Sequence, residues 1–344
     1  MDRFKLFDSF YGLNNDISQP GVTYNFTNCH FKNNNYAIQL NADMNYSNCL
    51  FELNGVGQAA QISYGTLTAS NCQFLNNFCS FTWSNNIAVN NCLFQGNGNN
   101  IVGSPGIVSD CQFIGNDFAF AEAYGHTIQN CFFSANGIGV DNTGSCNIVN
   151  STFDNNTLAI RIGDNSSISN CEIINNQIGV TVAASNPTTT NISDNIICSN
   201  SLYNLENGTD KNFEVNANCF CSQDSSVIES FIFDGYDDIT RGLVNYAIYD
   251  DSCNTILSYI VKVQLGNSSL TEIDFVKAFE IISQSETLIT LDAKKDMMIY
   301  LLNASGQILN NIEVFKGTQE VTFPYSNGIY LLTDFQGTSL RILR

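Results

Sequence analysis

Apolar and polar positions recur along the chain with a period near twenty residues, and each period carries the same short signature. The signature is Asn-Cys-x-Phe-x-x-Asn. It begins at Asn28, Asn48, Asn71 and Asn91, and continues from Asp110, Asn130, Asn150 and Asn170, with a degenerate copy at Asp194. Its second position falls at residues 29, 49, 72, 92, 111, 131, 151, 171 and 195, in steps of 19 to 24. Cys holds that position seven times; Ser151 and Asn195 replace it in two copies. A further copy is expected at Asp8-Ser9-Phe10, about 21 residues before Cys29.

Within each period the pattern alternates with period two, which predicts strands with one buried face. Counting from the Cys, offsets +7, +9 and +11 are mostly apolar: Phe118 and Phe120, Ile138 and Val140, Leu158, Ile160 and Ile162, Ile178, Val180 and Val182. Ile128, Ile148 and Ile168 mark a second short strand, and Cys-x-Phe a third. The Asn before the Cys suits a bend, because Asn tolerates the left-handed conformation, and stacked Asn side chains bond one turn to the next. Three strands per twenty residues predict a triangular coil with three parallel sheets. Nine or ten turns at ~4.8 Å span roughly 45 Å, and no turn buries its face without its neighbours. A leucine-rich repeat has a similar period, but Leu is sparse here and helix formers are few.

Seven Cys at one equivalent position form a column of small buried apolar side chains rather than a metal array. Parallel side chains one turn apart suit disulfide geometry badly, and a metal ligand would not survive replacement by Ser151. Cys219, Cys221 and Cys253 fall outside the column, where a disulfide between Cys253 and one of the other two is a candidate.

Composition narrows the function classes. Charged residues make up only 13% and the net charge is −19, which argues against nucleic acid and anionic lipid as partners. Only six Lys or Arg fall in residues 1–255, so no basic groove for an anionic polymer is visible. No apolar run reaches the ~18 residues of a membrane span. The first residues carry neither a signal-peptide pattern nor a capping helix, so the chain is expected to be a fragment whose upstream part holds both.

From about Asn216 the repeat gives way to a segment that resembles the closing turn of right-handed β-helix surface proteins. The matching residues are Asn218, Ile228, Ile232, Asp234, Asp237, Asp238, Gly242, Val244 and Tyr246, with Phe220 near the place of a Trp. The resemblance implies a cover over the last open turn. Asp234, Asp237 and Asp238 are candidate calcium ligands, without the spacing of an EF-hand loop. The last stretch resembles the C-terminal sorting domain of type IX secretion cargo from Bacteroidetes. Ile299, Tyr300, Gly306, Gln307, Gly328, Ile329, Tyr330, Leu331, Gly337, Leu340, Arg341 and Arg344 carry the match. It implies a β-sandwich recognised by the type IX machinery and a secreted or outer-surface location. The expected fold class is therefore all-β: a right-handed, single-stranded parallel β-helix over 1–255 with its closing turn at 216–255, a linker at 256–270 and a small sandwich over 271–344.

Parallel β-helices resembling this one include pectate and alginate lyases and polygalacturonases, which need a charged cluster on one outer face. The best constellation is Asp141 with Arg161, both at offset +10, with Glu122, Tyr124, His126 and Asp164 in nearby turns. In an enzyme, Arg161 is the base or carboxylate clamp and His126 the proton shuttle; otherwise Asp141–Arg161 is a surface ion pair. Arg161 stands without basic neighbours, which favours the second reading. The strand positions Ala37, Ser80, Ala119, Gly139, Ala159 and Gly179 are expected to point outward as a flat surface for a sugar chain or protein. The first expectation is a non-catalytic module that binds an extracellular polysaccharide or a cell-surface component, monomeric and without a cofactor other than calcium. The alternatives are a polysaccharide lyase or glycoside hydrolase, and a structural spacer or adhesin.

Overall fold

The computed structural model describes residues 5–7, 11–15 and 21–246, apart from 41, 56–57, 62–64, 83–84, 103–104 and 143. It also describes 279–343 apart from 285–287, 294–295, 304–307, 323–328 and 334–338. The chain divides into two compact units, Met1–Leu270 and Thr271–Arg344.

The first unit is a parallel β-solenoid. Each turn lays one short strand on each of three sheets, which among the described residues hold nine, ten and eleven strands. In the order in which the chain visits them, the first sheet runs from Thr23–Thr27 to Asn191–Ser193. The second runs from Lys5–Phe7 to Ile196–Cys198, and the third from Tyr11–Asn15 to Ile232–Phe233.

Bends of fixed geometry delimit the second-sheet strand. The residue before the Cys position is left-handed at every turn from Asn28 to Asp194, with φ between 51° and 59°. A second left-handed residue follows four places after that position. It is Asn or Gly at most turns, but Leu53, Ala135 and Ser199 adopt it as well. The stack imposes that conformation on Leu53 and Ala135 against an intrinsic cost of about 1–2 kcal/mol each.

Register is set by equivalent residues lying directly opposite one another. Phe31, Phe51, Phe74, Phe94, Phe113, Phe133 and Phe153 pair in succession, and Ile173 and Ile197 continue the column. From Phe31 to Phe153 the rings between successive turns stack with centroids 4.4–4.8 Å apart and planes within 13°. Each fully buried Phe contributes about 1.5–3 kcal/mol. Stacking adds roughly 0.5–1.5 kcal/mol per pair.

The Cys column is as buried as expected, with exposure of 0–2% from Cys29 to Cys171. Its members also bond between turns. The Cys72 sulfur accepts the Cys49 N–H, Cys92 accepts from Cys72, and Cys111 from Cys92, each at 3.4 Å. Ser151 Oγ does the same for Cys131 at 3.1 Å, and Asn195 Oδ1 for Cys171 at 2.9 Å. The position therefore requires a small buried acceptor, which explains why Ser and Asn replace Cys there. Burial pushes the Cys146 and Cys171 thiols up to about 12, so they remain protonated.

Several expectations need correction. The side-chain ladder lies mainly at the second Asn of the signature, five residues after the Cys. From Asn34 through Asn54, Asn77, Asn97, Asn116, Asn136, Asn156 and Asn176 to Asn200, these residues are buried. Asn136 Oδ1 accepts both the N–H and the side-chain amide of Asn116, at 3.0 and 2.9 Å. Asn116 Nδ2 also donates to the Phe94 carbonyl at 3.1 Å. The Asn before the Cys makes bonds between turns at Asn91–Asn71 and Asn130–Asp110.

The small residues at offset +8 point inward, not outward. Ala37, Ser80, Ala119 and Ala159 have no exposure, and the offset +7 residues Phe118, Ile138 and Ile178 are half-buried instead. The chain turns the corner into the third sheet here, so two consecutive side chains, at +8 and +9, face the core. A Cβ at Gly139 would lie 2.5 Å from the Ala159 carbonyl and 3.1 Å from the Phe153 ring. The column is small because the Phe stack fills the space beside it.

At the start, Leu6 pairs with Phe31, a step of 25 residues. The copy expected at Asp8-Ser9-Phe10 lies outside the described residues. Cys221 pairs with Cys198 of the last second-sheet strand, Cys219 is disulfide-bonded as well, and Cys253 lies outside the described residues.

The closing segment covers the C-terminal turn. Helix Ser225–Glu229, capped by Asp224, buries Ile228, and Ile232 pairs with Leu205 at the edge of the third sheet. Arg241 holds the cover in place. It donates to the Asn207 carbonyl at 2.7 Å, pairs with Glu206 and Asp238, and lies 4.6 Å over the Phe233 ring.

In the second unit, Phe279–Gln284, Leu288–Ala293 and Gly317–Thr322 form one antiparallel sheet. Ile308–Val314, Met297–Asn303, Ile329–Thr333 and Ser339–Leu343 form another. Leu291, Ala293, Ile299, Leu301 and Val314 are buried. Ile329 and Tyr330 pair with Leu343 and Ile342, and Arg341 with Leu331. Gly306, Gln307, Gly328, Gly337 and Arg344 lie outside the described residues, as do 256–270.

Candidate functional site

The structure brings two of the charged candidates together and separates the rest. Asp141 and Arg161 face outward on adjacent third-sheet strands, with Nη1 to Oδ2 at 2.9 Å. Glu122 lies on the strand Phe118–Ala123, with its side chain outside the described set. Tyr124 is exposed in the next turn.

His126 is on the first sheet and points inward, in register with Gly106 and Cys146. It is 2% exposed, meets the Phe120 ring edge-on, and neither ring nitrogen has a hydrogen-bond partner. Loss of hydration lowers its pKa to about 4, which the nearby Gly106 backbone offsets only in part. A neutral imidazole sealed in the core has no path to a substrate on the third-sheet face. The position does not suit the shuttle role that the enzyme alternative would give it, nor is it the turn residue of the other reading. The column that His126 continues is apolar in the earlier turns, with Met44, Leu67 and Ile87 buried, and gives way to Gly106, His126 and Cys146 further on.

Asp164 organises a turn instead of a reaction. Its carboxylate accepts the Ser185 hydroxyl and the Asn186 N–H, the latter at 2.7 Å. These bonds hold its pKa below the ordinary carboxylate value. The turn it shapes, Pro187–Thr189, is fastened by Asn165 N–H to Thr189 Oγ1 at 3.0 Å and by Thr190 Oγ1 to the Gly163 carbonyl at 3.0 Å.

That turn forms one wall of an open cleft of about 870 Å³ near the solenoid's C-terminal end. The pair of short strands Phe213–Glu214 and Val244–Asn245 also lines it. Asn212 Oδ1 accepts the Leu243 N–H at 2.8 Å, and Asn245 Nδ2 donates to Glu214 Oε1 at 3.2 Å. Tyr236 closes one side with its side chain 77% exposed. The lining combines Thr hydroxyls, Asn amides, one carboxylate and the apolar surfaces of Tyr236 and Leu243.

The three Asp residues considered for calcium shape this cleft. Asp234 is fully buried, and its two oxygens accept the N–H groups of Tyr236 at 2.9 Å and Val244 at 2.7 Å, both lining residues. Asp237 Oδ2 accepts the Asp234 N–H at 3.3 Å, and Asp238 accepts from Thr240 and pairs with Arg241. Their oxygens face backbone N–H groups, hydroxyls and a guanidinium. Among the described residues no group of three His, Cys, Asp or Glu side chains is arranged to hold a metal ion.

No family model and no curated protein matches the sequence. Among solved structures, the chain is similar to trypsin-treated QnrB1, a plasmid-mediated fluoroquinolone resistance protein. The likeness has 12% identity, a TM-score of 0.30, and covers 68% of this chain and 92% of that one.

Proposed function

We propose that this protein is a secreted or surface-displayed β-solenoid that binds a polysaccharide without cleaving it, using the cleft lined by Pro187–Thr189 and Phe213–Glu214. The cleft carries the reading: it offers hydroxyls and amides at an open groove beside an exposed aromatic ring, the chemistry that recognises a sugar's hydroxyl groups and its apolar C–H face. Among the described lining residues the carboxylate Glu214 has no second carboxylate beside it, as paired acid–base hydrolysis would need. On the third-sheet face Arg161 is engaged by Asp141.

Export through the type IX route is proposed on the resemblance of residues 271–344 to the sorting domain. The Cys198–Cys221 disulfide supports an oxidising compartment, where such bonds persist.

The test is co-sedimentation of the intact protein with insoluble polysaccharides, combined with assays for new reducing ends and for unsaturated products. Retention without product, lost in Tyr236→Ala, is the expected result. Product formation, or retention unaffected by Tyr236→Ala, overturns it. Export is tested separately by deleting 271–344 in a type IX-competent host; delivery to the cell surface should stop.

A further inference from the structure

We infer that the cleft selects neutral polysaccharide and rejects uronate polymers. The inference rests on the binding reading above and specifies its ligand.

Among the described residues no Lys or Arg lines the cleft, and Glu214 is the one carboxylate. The two cations nearest in sequence to its walls are each held by hydrogen bonds, Arg241 with carboxylate partners and Lys211 with a carbonyl. Lys211 donates to the Ser185 carbonyl at 2.6 Å, and Arg241 is held by Glu206, Asp238 and the Asn207 carbonyl. A uronate chain brings one negative charge per sugar. It would meet Glu214 in the lining itself, on a protein of net charge −19. A neutral sugar meets only groups it satisfies. Glu214, oriented by Asn245 Nδ2, presents acceptor oxygens to sugar hydroxyls, and the Thr188 hydroxyl, donating to Asn186 Oδ1, keeps an acceptor lone pair in the same lining.

The aromatic platform is preorganised. Asp234 pins the backbone N–H groups of Tyr236 and Val244 from beneath, so the ring that would stack on the sugar projects from a turn held by a buried carboxylate. Asp234 is a positioning residue for this surface.

The test is calorimetric titration of the intact protein with soluble β-glucan, mannan, alginate and polygalacturonate at low and moderate salt. Wild type, Tyr236→Ala and Glu214→Lys are compared. At 77% exposure the Tyr236 ring contributes little to folding, and far-ultraviolet circular dichroism checks that each variant keeps its sheets. The expected result is binding of at least one neutral polymer, weakened about tenfold or more in Tyr236→Ala, with no uronate binding by wild type. Uronate binding by wild type as tight as neutral binding, and lost in Tyr236→Ala, overturns the ligand class while leaving the site in place. Binding to none of the four polymers, or binding indifferent to Tyr236→Ala, overturns the site and the selectivity with it.

Discussion

Ser151 Oγ stands 3.1 Å from the Cys131 amide nitrogen, accepting its proton in the place where other turns use a Cys sulfur. It also donates to the Val149 carbonyl at 2.9 Å, as Cys131 donates to Gln129. Two chemically different side chains thus perform one structural task, and the column tolerates either. Ser151→Cys is expected to change stability by less than about 1 kcal/mol. Ser151→Val orphans a buried N–H and should cost about 1–3 kcal/mol. Denaturant midpoints of the two variants decide it; equal costs would remove the acceptor role.

The Asn ladder should be more sensitive. Asn136 accepts from two groups of Asn116 and donates to Asn156 and to the Phe113 carbonyl. Asn136→Leu breaks these bonds in the interior and is expected to cost about 3 kcal/mol or more. Asn155, its exposed left-handed neighbour one turn on, has φ of 61°. Asn155→Gly is expected within about 0.5 kcal/mol of wild type, because Gly adopts that conformation freely. Thermal unfolding of the two variants gives the contrast.

His126 gives stability a pH dependence of definite sign. Its folded pKa is lowered to about 4, against 6.5 when unhindered. The unfolded chain therefore binds the proton more readily in this window, and stability falls as pH drops from 6.5 through 4. Above 6.5 the contribution is fully present. The loss attributable to this residue is up to about 3 kcal/mol. The difference in unfolding free energy between wild type and His126→Leu, measured from pH 7.5 to 4, should change in that direction; a flat difference excludes the assignment.

Arg161 should matter little to either folding or binding. Its side chain is 40% exposed and paired with a single carboxylate. Arg161→Ala is expected to lower stability by less than about 1 kcal/mol. Titration with the polysaccharide retained by wild type should give an unchanged affinity, and a large loss would return the third-sheet face to consideration.

The repeat itself determined the solenoid, the Cys and Phe columns and the left-handed Asn bends. Each of these depends on one residue type returning every twenty positions, and stacking multiplies that signal turn after turn. Burial at offset +8 was not legible, because a small residue on a strand satisfies an outward position as well as a crowded inward corner. Only the path of the chain beside the Phe stack distinguishes them at Ala119 and Gly139. His126 is inward by the same period-two alternation that buries Ile128, but a polar ring at that place carries no apolar signal; Cys221 pairs with Cys198 from beyond the end of the repeat. The cleft was decided wholly by tertiary structure. Thr188, Glu214 and Tyr236 come from three non-repeating segments, and no spacing along the chain records that a buried carboxylate, Asp234, draws two of its walls into place.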